Sequence, residues 1–313
     1  MTALVADIGG TNTRVALAHG PEVDTASVRK YQNSDFDGLA KVLTRFLSEA
    51  GSPEIDGACA ALAGPVRDSC GRLTNLDWTI DEAMIARVAG TGRVKLLNDL
   101  QAQGHALDHL ASDALIPVID RPRARGATRL VLGLGTGVNV TVVHRLVTGT
   151  LVTANEAGHV SLPVTDEDDL SLARFAAGDD GFAAVEDILA GRGLQAVHDW
   201  VTARIGTPRR RDGHAIIAAA PGDPAAEETL RVYTAMLGRV AGDLALHHLP
   251  YGGIYLIGGV ARAVTPHLAR LGLANSFRAK GRFSGLMEEF AIATIADDFA
   301  ALTGCAAHLA EAA

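Results

Sequence analysis

Apolar residues along this chain fall into short runs that end at glycines, and into longer stretches with helical spacing. Residues 3–8, "ALVADI", form a run interrupted by one carboxylate, Asp7, and predict a buried strand. Residues 13–18, "TRVALA", predict its hairpin partner across a turn containing Gly9 and Gly10. "IDGACAALAGP", Ile55 to Pro65, predicts another strand, stopped by Gly64-Pro65. A fourth run, Val94 to Leu97, stops at Asn98 and Asp99. Polar groups at the carboxyl end of a strand stand where open α/β sheets place ligands.

The opening design recurs near Ala127. "TRLVLGLGTGVNVTVVHRL" is again strand, glycine-rich turn and strand, and "GIYLIGG", residues 253–259, is a buried strand ending in paired glycines. The shared pattern without close identity predicts two related halves rather than a solenoid. "IDRPRARGATR", Ile119 to Arg129, reads as a basic surface loop between them. A polar stretch from Thr165 to Gly181 precedes an alanine-rich helix expected over Phe182 to Ala190. Residues 224–248 have helical spacing with Pro224 in the first turn, and Gly238 and Gly242 invite close helix packing. A last helix is expected from about Asp297 to Glu311, while 159–186 and 194–224 read as variable loops.

Composition narrows the possibilities. Of 313 residues 48% are hydrophobic and 20% charged, which predicts a sizeable core and excludes a disordered chain. Aromatics are only 4%, so Ala, Val, Leu and Ile must do most of the packing. A formal charge of -8 argues against a nucleic-acid or anionic-membrane partner. Cys59, Cys70 and Cys305 are scattered and odd in number, with neither disulfide nor zinc spacing. No membrane-length apolar segment and no signal-peptide pattern is visible, so a cytoplasmic location is expected.

The turn "GGTN", Gly9 to Asn12, offers clustered backbone amides for phosphate oxygens, with the Thr11 and Thr13 hydroxyls as further donors. Asp7 would repel phosphate there unless a cation intervened, which makes it a candidate Mg²⁺ partner, directly or through water. A plain hairpin with an exposed aspartate fits the local pattern equally well. Gly135, Thr136 and Gly137 offer a second such turn. It lacks the Gly-Lys-Ser/Thr ending of a Walker A loop, and the strand after it excludes a dinucleotide fingerprint. Alone it reads as a glycine-rich hairpin, and Gly258-Gly259 alone as a strand terminus.

In order along the chain, "DIGGTNTR", "LLNDL", "LGLGTG" and "LIGGV" resemble the motifs of the sugar kinase, actin and heat-shock ATPase superfamily. Nearly the whole chain is more closely similar to bacterial glucokinases, through "AGPV", "LTNLDW", "NEAGHV", "EDILAGRGL" and "KGRFSGLM". The resemblance implies an α/β, two-lobed ribonuclease H-like (actin-like ATPase) fold with a central nucleotide and sugar cleft. It implies a small domain of residues 1–108 plus 295–313 and a large domain of residues 109–294. The first two glycine turns would face the phosphates of ATP, and Gly258-Gly259 the adenosine. Asn98, Asp99, Glu156, His159 and Glu186 would contact the hexose, with Asn75 added to that set and Asp99 as the catalytic base.

Each of these residues also has a plainer reading. Asp99 fits a helix cap, His159 an ordinary buried or surface histidine, and Glu186 a solvated helix position. The Asn98-Asp99 pair is favoured as functional by its place after a buried strand. The cysteine-rich zinc motif of the repressor/kinase group is missing between His159 and Glu186, so no structural zinc is expected. Ala157 and Arg192 stand where glycine and proline are common in the zinc-free branch.

The expected activity is transfer of the γ-phosphoryl group of ATP to the 6-hydroxyl of glucose, with Mg²⁺. The alternatives are a kinase for fructose, mannose or an amino sugar, a sugar-responsive regulator, and a chaperone-like or filament-forming ATPase. A homodimer is expected from the resemblance alone.

Overall fold

The computed structural model describes residues 1–73 and 76–311. Strands β1 (Thr2–Ile8), β2 (Asn12–His19), β3 (Glu22–Val23), β4 (Arg29–Gln32) and β5 (Gly57–Leu62) open the chain. The short strands β6 (Val66–Arg67), β7 (Cys70–Arg72) and β8 (Thr79–Asp81) make a small sheet, and β9 (Val94–Asn98) completes the first main one. That main sheet has the order β3-β2-β1-β5-β9, with β4 also on β2. β1 is antiparallel to β2 and parallel to β5, and β5 is parallel to β9.

Both faces of this sheet are covered, which is why β1 reads as an almost continuous apolar run. Leu4, Ala6 and Ile8 face one way, against α1 (Leu39–Glu49) and α2 (Glu82–Ala89). Leu39, Val42, Leu43 and Phe46 supply the buried stripe of α1. Ala3 and Val5 face the other way, in a core shared with Ala102 of α3 (Asp99–Ala106).

The second sheet repeats the design. Strands β10 (Leu115–Ile119), β11 (Arg129–Leu134), β12 (Val138–Leu146), β13 (Gly149–Val152), β14 (Ile254–Ile257) and β15 (Ile292–Ile295) have the order β10-β15-β14-β11-β12-β13. β11 is antiparallel to β12 and parallel to β14, and β14 is parallel to β15. The pairing sequence of the first sheet therefore recurs, with β10 as an added antiparallel edge. The expectation of two related halves is met.

Helices α4 (Glu167–Ala176), α5 (Val185–Leu189), α6 (Gly191–Arg204), α7 (Gly213–Ala219), α8 (Pro224–His248), α9 (Gly259–Leu268) and α10 (Leu273–Arg278) lie between β13 and β15. The last helix, α11 (Ala300–Glu311), returns to the first sheet and buries Ala301, Leu302, Cys305 and Leu309 beside Ala3 and Val5. Two compact units result: residues 1–112 with 145–154 and 297–313, and residues 113–144 with 155–296.

α8 spans the expected 224–248, with Asp223 capping its start through the amides of Ala225 and Ala226. A Cβ at Gly238 would lie 2.9 Å from the Leu273 carbonyl oxygen, and one at Gly242 2.7 Å from that of Phe277. The two glycines thus admit α10 to close contact.

Several expectations fail. The basic segment at 119–129 is the β10–β11 connection inside the second unit, not a link between halves, and Ile119 is a buried strand residue. The polar stretch 165–181 contains α4, which buries only Asp169 and Leu172 and is capped by Asp166. The helix expected over Phe182–Ala190 shrinks to α5, because the chain at 183–185 bonds to 160–162 instead of to itself. The supposed loop 194–224 is mostly α6 and α7.

Candidate active site

In the first unit β1 carries Asp7 directly opposite Arg14 of β2. An Arg14 guanidinium nitrogen lies 3.3 Å from Asp7 Oδ2. Burial pushes the Asp7 carboxyl up from its ordinary range, and Arg14 opposes that shift only in part. Past Asp7 the chain turns at Gly9 to Asn12, with Gly9 N–H donating to the Asn12 carbonyl at 3.0 Å.

This turn is held from outside by Asn33, which is 1% exposed. Its Nδ2 donates to the Gly9 carbonyl at 2.8 Å, its Oδ1 accepts from Thr13 Oγ1 at 2.8 Å, and its backbone N–H donates to the Thr11 carbonyl at 2.9 Å. Thr13 is buried and its hydroxyl is directed inward, so it is not the phosphate donor expected of it. Thr11 is exposed.

We expect Asn33→Ala to strip the inner support of the turn. Leaving the buried Thr13 hydroxyl and Gly9 carbonyl unpaired costs on the order of 2 kcal/mol. The expected outcome is a lower melting temperature and a several-fold higher KM for ATP, read by thermal denaturation and steady-state kinetics. An unchanged KM for ATP would remove the turn from nucleotide binding.

β9 ends at Asn98, which caps α3. Its Oδ1 accepts from Leu100 N–H at 2.9 Å, and its Nδ2 donates to the Gly64 carbonyl at 2.9 Å. The capping role considered for Asp99 therefore belongs to Asn98. Asp99 is the first residue of α3, with Oδ1 accepting from Leu100 N–H at 2.8 Å. Burial, and next the charge of Asp7, push the Asp99 carboxyl up to about 6. The first unit thus brings Asp7, the glycine turn, Asn98 and Asp99 to the carboxyl ends of β1 and β9. Asn75 lies outside the described residues.

In the second unit Gly135, Thr136 and Gly137 join β11 to β12. Gly135 N–H donates to the Gly137 carbonyl at 3.0 Å, and Gly191 N–H to the Gly135 carbonyl at 2.9 Å. Glu186, 9% exposed, is not the solvated helix residue considered for it. Its Oε2 accepts Val138 N–H at 2.8 Å, and a Cβ on Gly137 would stand 2.8 Å from the same oxygen. Glycine at 137 is what lets the carboxylate lie against the turn.

Glu156 and His159 share a 3₁₀ turn over 157–159, closed by His159 N–H to the Glu156 carbonyl at 3.1 Å. Both side chains are exposed. Gly158 presses on the strand beneath, where a Cβ would be 1.8 Å from the Val138 carbonyl oxygen. Asn139 orients this turn. Its Nδ2 donates to the Asn155 carbonyl at 2.6 Å and reaches Glu156 Oε2 at 3.3 Å, while its Oδ1 accepts from Ala157 N–H at 3.1 Å. The Ser161–Ala184 bridge then carries the chain back beside α5 and Glu186.

Gly258, at φ +109°, immediately precedes α9. A Cβ there would sit 2.3 Å from the Leu134 carbonyl oxygen, so the Gly258-Gly259 turn lies alongside the turn that starts at Gly135. Asn33 and Asn139 were missed by sequence reading. The one signal for Asn139 is its place two residues after Gly137, and Asn33 has none.

Among the described residues, no group of three or more His, Cys, Asp or Glu is arranged to hold a metal ion, and no helix is long and apolar enough to cross a membrane.

A sequence model of the glucokinase family matches residues 4–312. The glucokinase of Chromohalobacter salexigens is 33% identical over 286 residues, covering 90% of this chain and 88% of its own. That of Marinobacter nauticus is 30% identical over 313 residues, covering 98% and 97%. A crystal structure of a glucokinase from an Antarctic psychrotroph superposes with a TM-score of 0.88 at 26% identity, over 98% of each chain.

Proposed function

This chain belongs to the glucokinase family, and from that premise we propose that Asp99 is the general base of hexose phosphorylation. The enzyme transfers the γ-phosphoryl group of ATP to the 6-hydroxyl of D-glucose. The observation that carries the assignment is Asp99 itself: a carboxyl at the end of a buried strand, with its proton affinity raised to about 6. A base poised just below neutral pH is mostly ionised there and still accepts a proton readily.

In this reading Asp99 takes the proton from the 6-hydroxyl as its oxygen attacks the γ-phosphorus and the bond to the β-γ bridging oxygen breaks. Asn98, Glu156, His159, Glu186 and Asn75 hold the sugar. A hexose presents uncharged hydroxyls at fixed angles, and leaving a buried partner unpaired is costly, so such groups discriminate between sugars. The turns Gly9–Asn12 and Gly135–Gly137 receive the phosphates, with Gly9 and Gly135 shaping them through their own N–H bonds to the Asn12 and Gly137 carbonyls, while Gly258 and Gly259 let the adenosine approach the backbone. Positioning and electrostatic stabilisation supply most of the rate in phosphoryl transfer.

Two half-buried carboxyls, Asp7 and Asp99, with the charge of one felt by the other, place negative charge beside the first turn. That setting fits a divalent cation arriving with ATP, and needs no all-protein cage. Asp7 would hold this Mg²⁺ through water, where the ion neutralises phosphate charge. A homodimer and a cytoplasmic location belong to the same proposal.

The test is mass detection of a hexose 6-phosphate from glucose, ATP and Mg²⁺, with fructose, mannose and glucosamine run in parallel. A product from glucosamine in clear preference to glucose would move the protein to another hexose kinase activity. Glu156→Gln is expected to raise the KM for glucose roughly ten- to hundredfold, the worth of a hydrogen bond to a charged group. The KM for ATP should stay within about twofold. If only the KM for ATP moves, Glu156 is not a sugar ligand.

A further inference from the structure

Arg192 is the second residue of α6, and Gly191 before it is bonded to the Gly135 carbonyl. Its guanidinium donates to Glu186 Oε1 at 2.5 Å and lies 3.6 Å from Asp187 Oδ1. The other Glu186 oxygen is taken by Val138 N–H, at the end of the Gly135–Gly137 turn. One side chain therefore bridges the carboxylates of α5 beside a turn whose amides are read as phosphate donors. A bare carboxylate in that position would oppose a polyanion a few ångströms away.

We propose that Arg192 is a positioning residue: it cancels and aims the Glu186 carboxylate so that the hexose ligand and a bound nucleotide coexist at the Gly135–Gly137 turn. The inference rests on the reading of that turn and of Glu186 given above. Arg192 acts through Glu186, and the effect is electrostatic as well as geometric. With Arg192 removed, Glu186 and Asp187 are both left without their cation. The guanidinium is 61% exposed, so its loss leaves the fold intact and its influence falls as salt screens it.

The test is a four-protein cycle of wild type, Arg192→Gln, Glu186→Gln and the double variant. Binding of the non-hydrolysable analogue AMPPNP with Mg²⁺ is measured by calorimetry without sugar, and the KM for glucose is measured separately. Arg192→Gln is expected to weaken AMPPNP about tenfold at low salt, the order for one uncompensated nearby charge, and less at high salt. In the Glu186→Gln background the same change should cost clearly less, since only the more distant Asp187 is then left without its cation, and Arg192→Lys should recover most of the binding. Equal weakening in both backgrounds would mean that Arg192 touches the nucleotide directly and would overturn the proposal, as would unaltered AMPPNP binding in Arg192→Gln. Because binding is read without sugar, these outcomes are distinct from a wild-type protein that makes no glucose 6-phosphate, which would instead sink the functional reading.

Discussion

Asp99→Asn is expected to lower kcat by roughly two to four decades, the usual worth of a positioned general base, and at the same time to make the protein harder to melt at neutral pH. The two effects have one cause. The Asp99 carboxyl is held at about 6, against an ordinary value of 3.8, by burial and by the charge of Asp7. The folded protein therefore binds this proton more tightly than the unfolded chain does. Stability contributed by the protonated form is present in full below about pH 4 and is lost as pH rises toward 6. Above that, the ionised carboxylate weighs on the fold by up to about 3 kcal/mol at 1.36 kcal/mol per unit. Asparagine never ionises, and its Oδ1 can keep the bond from Leu100 N–H. Melting of the two proteins should thus differ most at pH 7 to 8 and converge near pH 4. In the wild type, kcat/KM for glucose should fall below about pH 6 as the base is protonated. A variant that turns over at the native rate, or melts below the wild type at pH 7.5, would contradict this account of Asp99.

Gly304→Ala is expected to cost about 3 kcal/mol or more, a large loss for a single methyl. Gly304 lies in α11 where it crosses α3, and a Cβ there would stand 1.6 Å from the Ala102 carbonyl oxygen and 2.5 Å from its carbonyl carbon. Backbone cannot yield as the end of a long side chain can, so the helices must separate. Separation opens the small-residue core of Ala3, Val5, Ala16, Cys59 and Cys305. It also tilts α3, whose first residue is Asp99, so turnover should fall with stability. Urea denaturation checks the first effect, and glucose phosphorylation at a temperature where the variant is still folded checks the second. A midpoint equal to that of the wild type would show that the helices do not meet at Gly304.

What was legible in the sequence is what rests on local pattern. The apolar runs of β1, β5, β11 and β14 are nearly continuous because the strands are deeply buried, and the glycines at 9, 10, 135, 137 and 258 stand where the runs of β1, β11 and β14 stop. The pair Asn98-Asp99 could be placed at a strand end without tertiary knowledge. The division of labour inside that pair could not, because the Asn98 side chain that caps α3 through Leu100 N–H is also tied by its Nδ2 to Gly64, far away in sequence. Asn33 was illegible for the same reason: its partners Gly9, Thr11 and Thr13 belong to the β1–β2 hairpin, some twenty residues earlier. α4 was hidden by its own polarity. Its anchor is an ion pair from Arg239 to Asp169, and periodicity of apolar residues does not report ion pairs. α5 came out short because Ala183 and Val185 found partners across the chain at Leu162 and Val160.

The first unit draws on residues 145–154 and 297–313 as well as on 1–112. During synthesis on the ribosome, the opening sheet emerges early but cannot be sealed. The face made by Ala3, Val5, Ala16 and Ala18 is covered only in part, by Ala102 of α3, until residues 300–311 have left the exit tunnel. Almost all of the second unit is made in the interval, and its long stretch 155–296 has its partners within reach. The second unit can therefore close before the first is complete, and the waiting apolar face is where a chaperone would be engaged.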